Sequence, residues 1–171
     1  MSANETEQFE RIVLPHLDAA YNLARWLAGN DHDAEDIAQE ACVRAFRFIG
    51  GHRGGDGRAW LLAIVRNTAF SWLKKNRPAV LVTMDDEALS AIEDTAVISG
   101  EFSSADKDAL RAAFESLPLP LRETLVLREL EGLSYKEIAE TTEVPVGTVM
   151  SRLARARRHL QTYFAQPGGK K

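Results

Sequence analysis

The chain has 171 residues, 45% of them hydrophobic and 27% charged, with a net charge of -4 at pH 7, a composition that excludes a disordered chain and suits one folded domain or two small ones. No run approaches the roughly 18 apolar residues of a membrane span, and the start, MSANETEQFE, is acidic and polar where a signal peptide is basic and then apolar, so a cytoplasmic protein with no direct membrane insertion is expected. One cysteine, Cys42, allows no internal disulfide, and its place among apolar helical positions predicts a buried, inert thiol.

Residues 7–28 carry Phe9, Val13, Leu17, Tyr21 and Ala24 at helical spacing, with Pro15 placed to kink or restart the helix. Gly29, Asn30 and Asp31 end it. A second helix is expected at 33–49, capped by Asp33, with Ile37, Ala41, Ala45 and Phe48 as its apolar stripe. Its other face bears Asp36, Gln39, Glu40, Val43, Arg44 and Arg47. The helix dipole favours acids in the first turn, which accounts for Asp33, Glu35 and Asp36 better than for Gln39, Glu40 and Val43. Residues 50–57, GGHRGGDG, form a loop; no strand precedes it and no Gly-Lys-Ser/Thr ends it, which argues against a nucleotide cradle. A third helix runs from 58 to 76, with Trp60, Leu61, Ile64, Val65, Thr68, Trp72 and Leu73 on a broad apolar face and Arg66, Asn67, Ser71, Lys74 and Lys75 opposite. Aromatic residues beside basic ones suit unpaired bases, although both tryptophans also fit plain core positions.

Charge divides the chain. Residues 1–77 hold ten bases and ten acids, 78–105 no base and six acids, and 106–171 eleven bases and nine acids. The middle segment shows no sustained period beyond a short helix at 86–92 and reads as an acidic linker. The C-terminal part opens with a helix from Ser103 or Ser104 whose stripe is Leu110, Ala113, Phe114 and Leu117; Leu-Pro-Leu-Pro closes it, and a helix at 121–130 ends at Gly132.

Residues 133–164 then read as two helices around a tight turn. Ser134 and Glu137 have the spacing of a capping box. Ala139 is small enough for a close crossing, the chain turns at Thr142 to Val144, and Pro145 suits the first turn of a new helix. Val149, Leu153, Ala156, Leu160 and Phe164 make its buried stripe, while Thr148, Ser151, Arg152, Arg155 and Arg158 are expected on an exposed basic face. From Pro145 onward there are six Lys or Arg and no acid, against the overall sign of the chain. This combination suits a DNA-binding helix-turn-helix whose second helix enters the major groove. The four histidines, His16, His32, His52 and His159, have no metal-ligand spacing, and no nucleophile stands in a recognisable motif, so neither an enzyme, a metal, a cofactor nor a small-molecule substrate is expected.

Taken together, DAEDIAQEACVRAF, RAWLLAIVRNTAFSWLKK, an acidic linker and LPLPLRETLVLRELEGLSYKEIAETTEVPVGTVMSRLARAR resemble the extracytoplasmic-function sigma factors of the sigma-70 family of bacterial RNA polymerase. The resemblance implies an all-α protein of two small helical domains, 1–77 and 106–171, joined by the linker at 78–105. It implies that Asp36, Gln39, Glu40 and Arg44 dock on core RNA polymerase. His52 and Arg53, in a loop similar to the one that captures a flipped base, together with Arg66, Asn67, Lys74 and Lys75, would hold the melted -10 strand. Thr148, Ser151, Arg152, Arg155 and Arg158 would meet the duplex -35 element. An anti-sigma factor covering the polymerase-binding face is a further implied partner. Two positions depart from the family: Glu143 stands at a turn where Gly is frequent, and Met150 where a basic residue is frequent. Two rival expectations are a sigma-like decoy that sequesters an anti-sigma factor and a stand-alone helix-turn-helix regulator; the latter leaves the face from Asp36 to Arg44 without a role.

Overall fold

The computed structural model describes residues 3–52, 54–84 and 107–165. Arg53, the helix expected at 86–92 and the start expected at Ser103 or Ser104 lie outside the described residues. Among those described there are helices and turns and no strand, and no helix is long and apolar enough to cross a membrane.

Pro15 does more than bend the first helix. Lacking an N–H, it divides the segment into α1 (Ala3–Ile12), a tight 3-10 turn (Leu14–His16) and α2 (Leu17–Ala28). Gly29, at φ 89°, ends α2 in the left-handed conformation and donates its N–H to the Arg25 carbonyl. Helix α3 spans Asp31–Phe48 and starts earlier than expected, because the cap is Asn30 rather than Asp33: the Asn30 side chain accepts from the Asp33 N–H at 2.9 Å. Asp56 accepts from the N–H groups of Arg58 and Ala59 to start α4 (Gly57–Asn76). Gly57 lets α1 approach this start closely, since a Cβ there would lie 2.8 Å from the Ile12 side chain and 3.2 Å from its carbonyl oxygen.

Helices α2, α3 and α4 pack around Leu23, Leu27, Ile37, Leu61, Leu62, Val65 and Leu73, all buried. Ala34, Ala41 and Ala45 on the inner face of α3 are fully buried as well, and their short side chains let the neighbouring helices close in. Burial of each large aliphatic side chain contributes about 1.5–3 kcal/mol. Cys42 is half-buried rather than fully enclosed, and burial raises its thiol pKa.

The C-terminal half comprises α5 (Lys107–Glu115), α6 (Leu119–Leu125), a π-helical turn (Val126–Leu130), α7 (Tyr135–Thr142) and α8 (Val146–Ala165). The Leu-Pro-Leu-Pro run opens α6 rather than merely closing α5: Pro118 is its N-cap and Pro120 occupies the first turn, where a missing N–H is harmless.

The two halves pack on one another, and their apolar residues form one cluster. Arg122 on α6 donates to the Trp26 carbonyl at 2.8 Å, and the Trp26 ring lies 5.4 Å from that of Phe114. Arg58 donates to the Glu131 carbonyl and lies 3.5 Å from its carboxylate. Deeper in, Arg66 on α4 pairs with the fully buried carboxylate of Glu123 on α6, Nε to Oε2, at 2.7 Å.

Candidate nucleic-acid interface

The helix-turn-helix is built by local rules. Ser134 Oγ accepts from the Glu137 N–H at 3.0 Å, and Glu137 Oε1 accepts from the Ser134 N–H at 2.9 Å, closing the capping box that starts α7. Arg128 steadies the approach to it by donating to the Leu133 carbonyl at 2.9 Å, with its guanidinium over the Tyr135 ring. At the turn, Glu143 sits at φ 58° and ψ 44°, and the Val144 N–H reaches back to the Ala139 carbonyl. Pro145 precedes α8, which buries Val149, Leu153, Ala156 and Leu160 against the rest of the C-terminal half.

The basic face of α8 differs from expectation. Arg152 is only 4% exposed and Arg158 8%, while Thr148, Ser151 and Arg155 are half-buried. For Arg152 the reason is Glu123. Burial pushes its carboxyl pKa up, and the guanidiniums of both Arg66 and Arg152 oppose that by stabilising its charge. An ionised group in an apolar interior requires such partners. Arg157 in turn pairs with Glu129 at 2.8 Å. Part of the positive charge of α8 therefore serves the interior, and the exposed side chains at its first turns are Val146 and Met150.

On the N-terminal half, Asp36, Gln39 and Glu40 are exposed along α3. Arg44 is held across to α4: its Nε donates to Glu40 at 3.0 Å and its Nη1 to Thr68 Oγ1 at 3.3 Å, while the Thr68 hydroxyl donates to the Ile64 carbonyl at 2.7 Å. Between α3 and α4 lies a groove of about 340 Å³ lined by Asp36, Glu40, Arg44, Thr68, Ser71, Trp72 and Lys75. Residues expected to face polymerase thus share one groove with Lys75, expected to face DNA. Val43 and Phe48, on different sides of α3, are each about half exposed.

Asn67, Lys74 and Lys75 are exposed on α4. Arg66 is turned elsewhere; besides Glu123, its guanidinium stacks 3.8 Å from the Phe70 ring centroid. His52 is half-buried with its ring 5.0 Å from that of Trp60, and both Trp60 and Trp72 pack against the core. The roles of Glu123 and Arg58 were not evident from periodicity. The available signal was a lone acid, Glu123, inside the apolar run LPLPLRETLVL, which calls for a cationic partner.

Residues 12–78 match the family description Sigma-70 region 2, and residues 107–160 match Sigma-70, region 4. The chain is 35% identical over 162 residues to the RNA polymerase sigma-H factor of Pseudomonas aeruginosa, covering 87% of this chain and 82% of that one. The chain belongs to the sigma-70 family, among the extracytoplasmic-function sigma factors. It is 36% identical over 159 residues to the ECF RNA polymerase sigma factor SigE of Mycolicibacterium smegmatis, covering 92% of this sigma factor but 62% of that longer relative. Among solved structures, the sigma factor RpoE of Bartonella quintana, in complex with the anti-sigma factor NepR, superposes with a TM-score of 0.70 at 29% identity, covering 90% and 94% of the two chains. CnrH, solved with the cytosolic domain of CnrY, shares the fold at a TM-score of 0.63 and 24% identity.

Proposed function

We propose that this sigma factor is a detachable, non-enzymatic specificity subunit that works in the cytoplasm, binding core RNA polymerase and directing it to a set of promoters. Residues 1–77 bind core and the -10 element, 78–105 link the halves, and 106–171 bind the -35 element. Asp36, Gln39, Glu40 and Arg44 form the polymerase-docking face. Asn67, Lys74 and Lys75, with Arg66 once it leaves Glu123, follow the melted strand, and His52 and Arg53 belong to the loop beside the flipped base. Thr148, Ser151 and Arg155 lie on the promoter side of α8. Arg152 and Arg158, being buried, orient that helix more than they contact DNA. An anti-sigma factor is the regulatory partner.

The observation that carries this reading is the presence, in one chain, of a capped helix-turn-helix and an exposed acidic and amide face on α3. A stand-alone regulator has no use for the latter. The test is equilibrium binding of purified core polymerase. Reversing charge with Asp36→Lys and Glu40→Lys together is expected to weaken core binding at least ~10-fold, since juxtaposed like charges at an interface cost several kcal/mol, with the thermal unfolding midpoint little changed because both side chains are exposed. Undiminished binding by the double variant contradicts the assigned face, and no binding by the unaltered protein contradicts the function.

A further inference from the structure

The exposed surface at the start of α8 is apolar where phosphate attraction alone would call for charge. Val146 is 41% exposed and Met150 53%. Four residues apart, they lie one above the other on the same helical face. Beside them Gly147 opens onto free space, since a Cβ there would meet nothing within 4 Å. Two polar side chains of these turns serve the protein: Ser151 Oγ donates to the Gly147 carbonyl at 3.2 Å, and Arg152 is buried and stabilises the charge of Glu123.

In a helix-turn-helix, the first turns of the second helix are the part that reaches base edges. Among the groups a base pair presents in the major groove, the one apolar group is the C5 methyl of thymine; the others are hydrogen-bond donors and acceptors. An apolar pair such as Val146 and Met150 satisfies none of those donors and acceptors at either kind of base pair, and gains compensating burial only against the methyl of an A·T pair. We infer that Val146 and Met150 read thymine methyl groups in the -35 element, an inference that rests on the promoter-binding role proposed above. Met150 is the stronger reader, because its long unbranched thioether extends furthest and adapts to the methyl it covers. Burying one methyl is worth about fourfold in affinity.

The test uses the full chain with core polymerase. A promoter is first selected from a pool with a randomised -35 region, and each thymine of the selected -35 element is then replaced singly by uracil, which deletes only the methyl. Holoenzyme binding is expected to fall about fourfold at one or two thymines. Met150→Ala is expected to remove the uracil effect at one of them, and Val146→Ala at the other where two respond. Met150→Lys should shift the selected base towards guanine, whose O6 and N7 accept from a cation. All three substitutions are at exposed positions, and circular dichroism verifies that the helix content is retained. Initiation from a selected promoter with every uracil tolerated, or a uracil effect unchanged in both alanine variants, overturns this inference alone. Failure to initiate on any promoter overturns the sigma-factor reading and this inference with it.

Discussion

At the residue scale, Glu143 shows what a single backbone position costs. Its φ of 58° is the only positive value at a non-glycine residue among those described, and it arises because α7 must end within one residue for α8 to cross it. A side chain in this region is strained by roughly 1–2 kcal/mol, partly offset by the greater freedom that glycine has in the unfolded chain. Glu143→Gly is therefore expected to stabilise the protein by ~0.5–1 kcal/mol, read as a higher urea midpoint with an unchanged slope; an equal or lower midpoint contradicts the strain assigned to this turn. The residue was legible in the sequence because turn chemistry is local: the chain between Ala139 and Pro145 is too short for any other reversal. Arg152 was not legible in the same way. Its position on α8 is what helical spacing dictates, but its burial depends on Glu123, which a reading of α8 alone does not include.

At the element scale, helix existence followed from apolar period, while helix starts depended on which of several candidate caps wins. Asn30 displaces Asp33 because its side chain meets the Asp33 N–H directly, and Pro118 displaces Leu121 as the start of α6 because proline tolerates the first turn. The groove between α3 and α4 was only half legible: Asp36, Glu40, Arg44 and Lys75 stood out as polar residues, while Thr68, read as core and buried as expected, also anchors Arg44 through its hydroxyl. The packing of α5 against α8 carries a consequence for pH. His159 on α8 lies 3.4 Å from Ser116 Oγ just beyond α5, and burial holds its pKa below 6.5, opposed by a weaker hydrogen bond to Ser116. The unfolded chain then binds more protons than the folded one as pH falls past 6.5, so stability is full above that value and declines as pH drops through the lower folded pKa. His159→Gln is expected to flatten the fall in melting temperature between pH 7 and pH 5; an identical pH profile for the variant contradicts the assignment.

At the scale of the whole molecule, the association of the two halves was beyond sequence reading, because its deepest contact joins Arg66 and Glu123, 57 positions apart. Glu123 is fully buried and faces two cations, one from each half. Removing one member of a buried ion pair leaves the other uncompensated, so Glu123→Ala is expected to destabilise the protein by about 3–5 kcal/mol in urea unfolding, and a loss below about 1 kcal/mol would place the stability of the contact in apolar packing instead. The same pair has a functional corollary. In the proposed role of Arg66 on the promoter strand, its guanidinium cannot hold Glu123 at the same time, and that role requires the halves to separate from the arrangement seen here.

Whether this chain confers promoter recognition on polymerase is decided by run-off transcription with purified core polymerase on a pool of genomic fragments. Transcripts are expected only when the protein is added, starting at discrete sites preceded by a shared pair of elements at -10 and -35. Transcripts identical with and without the protein, or none on any fragment, would contradict this expectation.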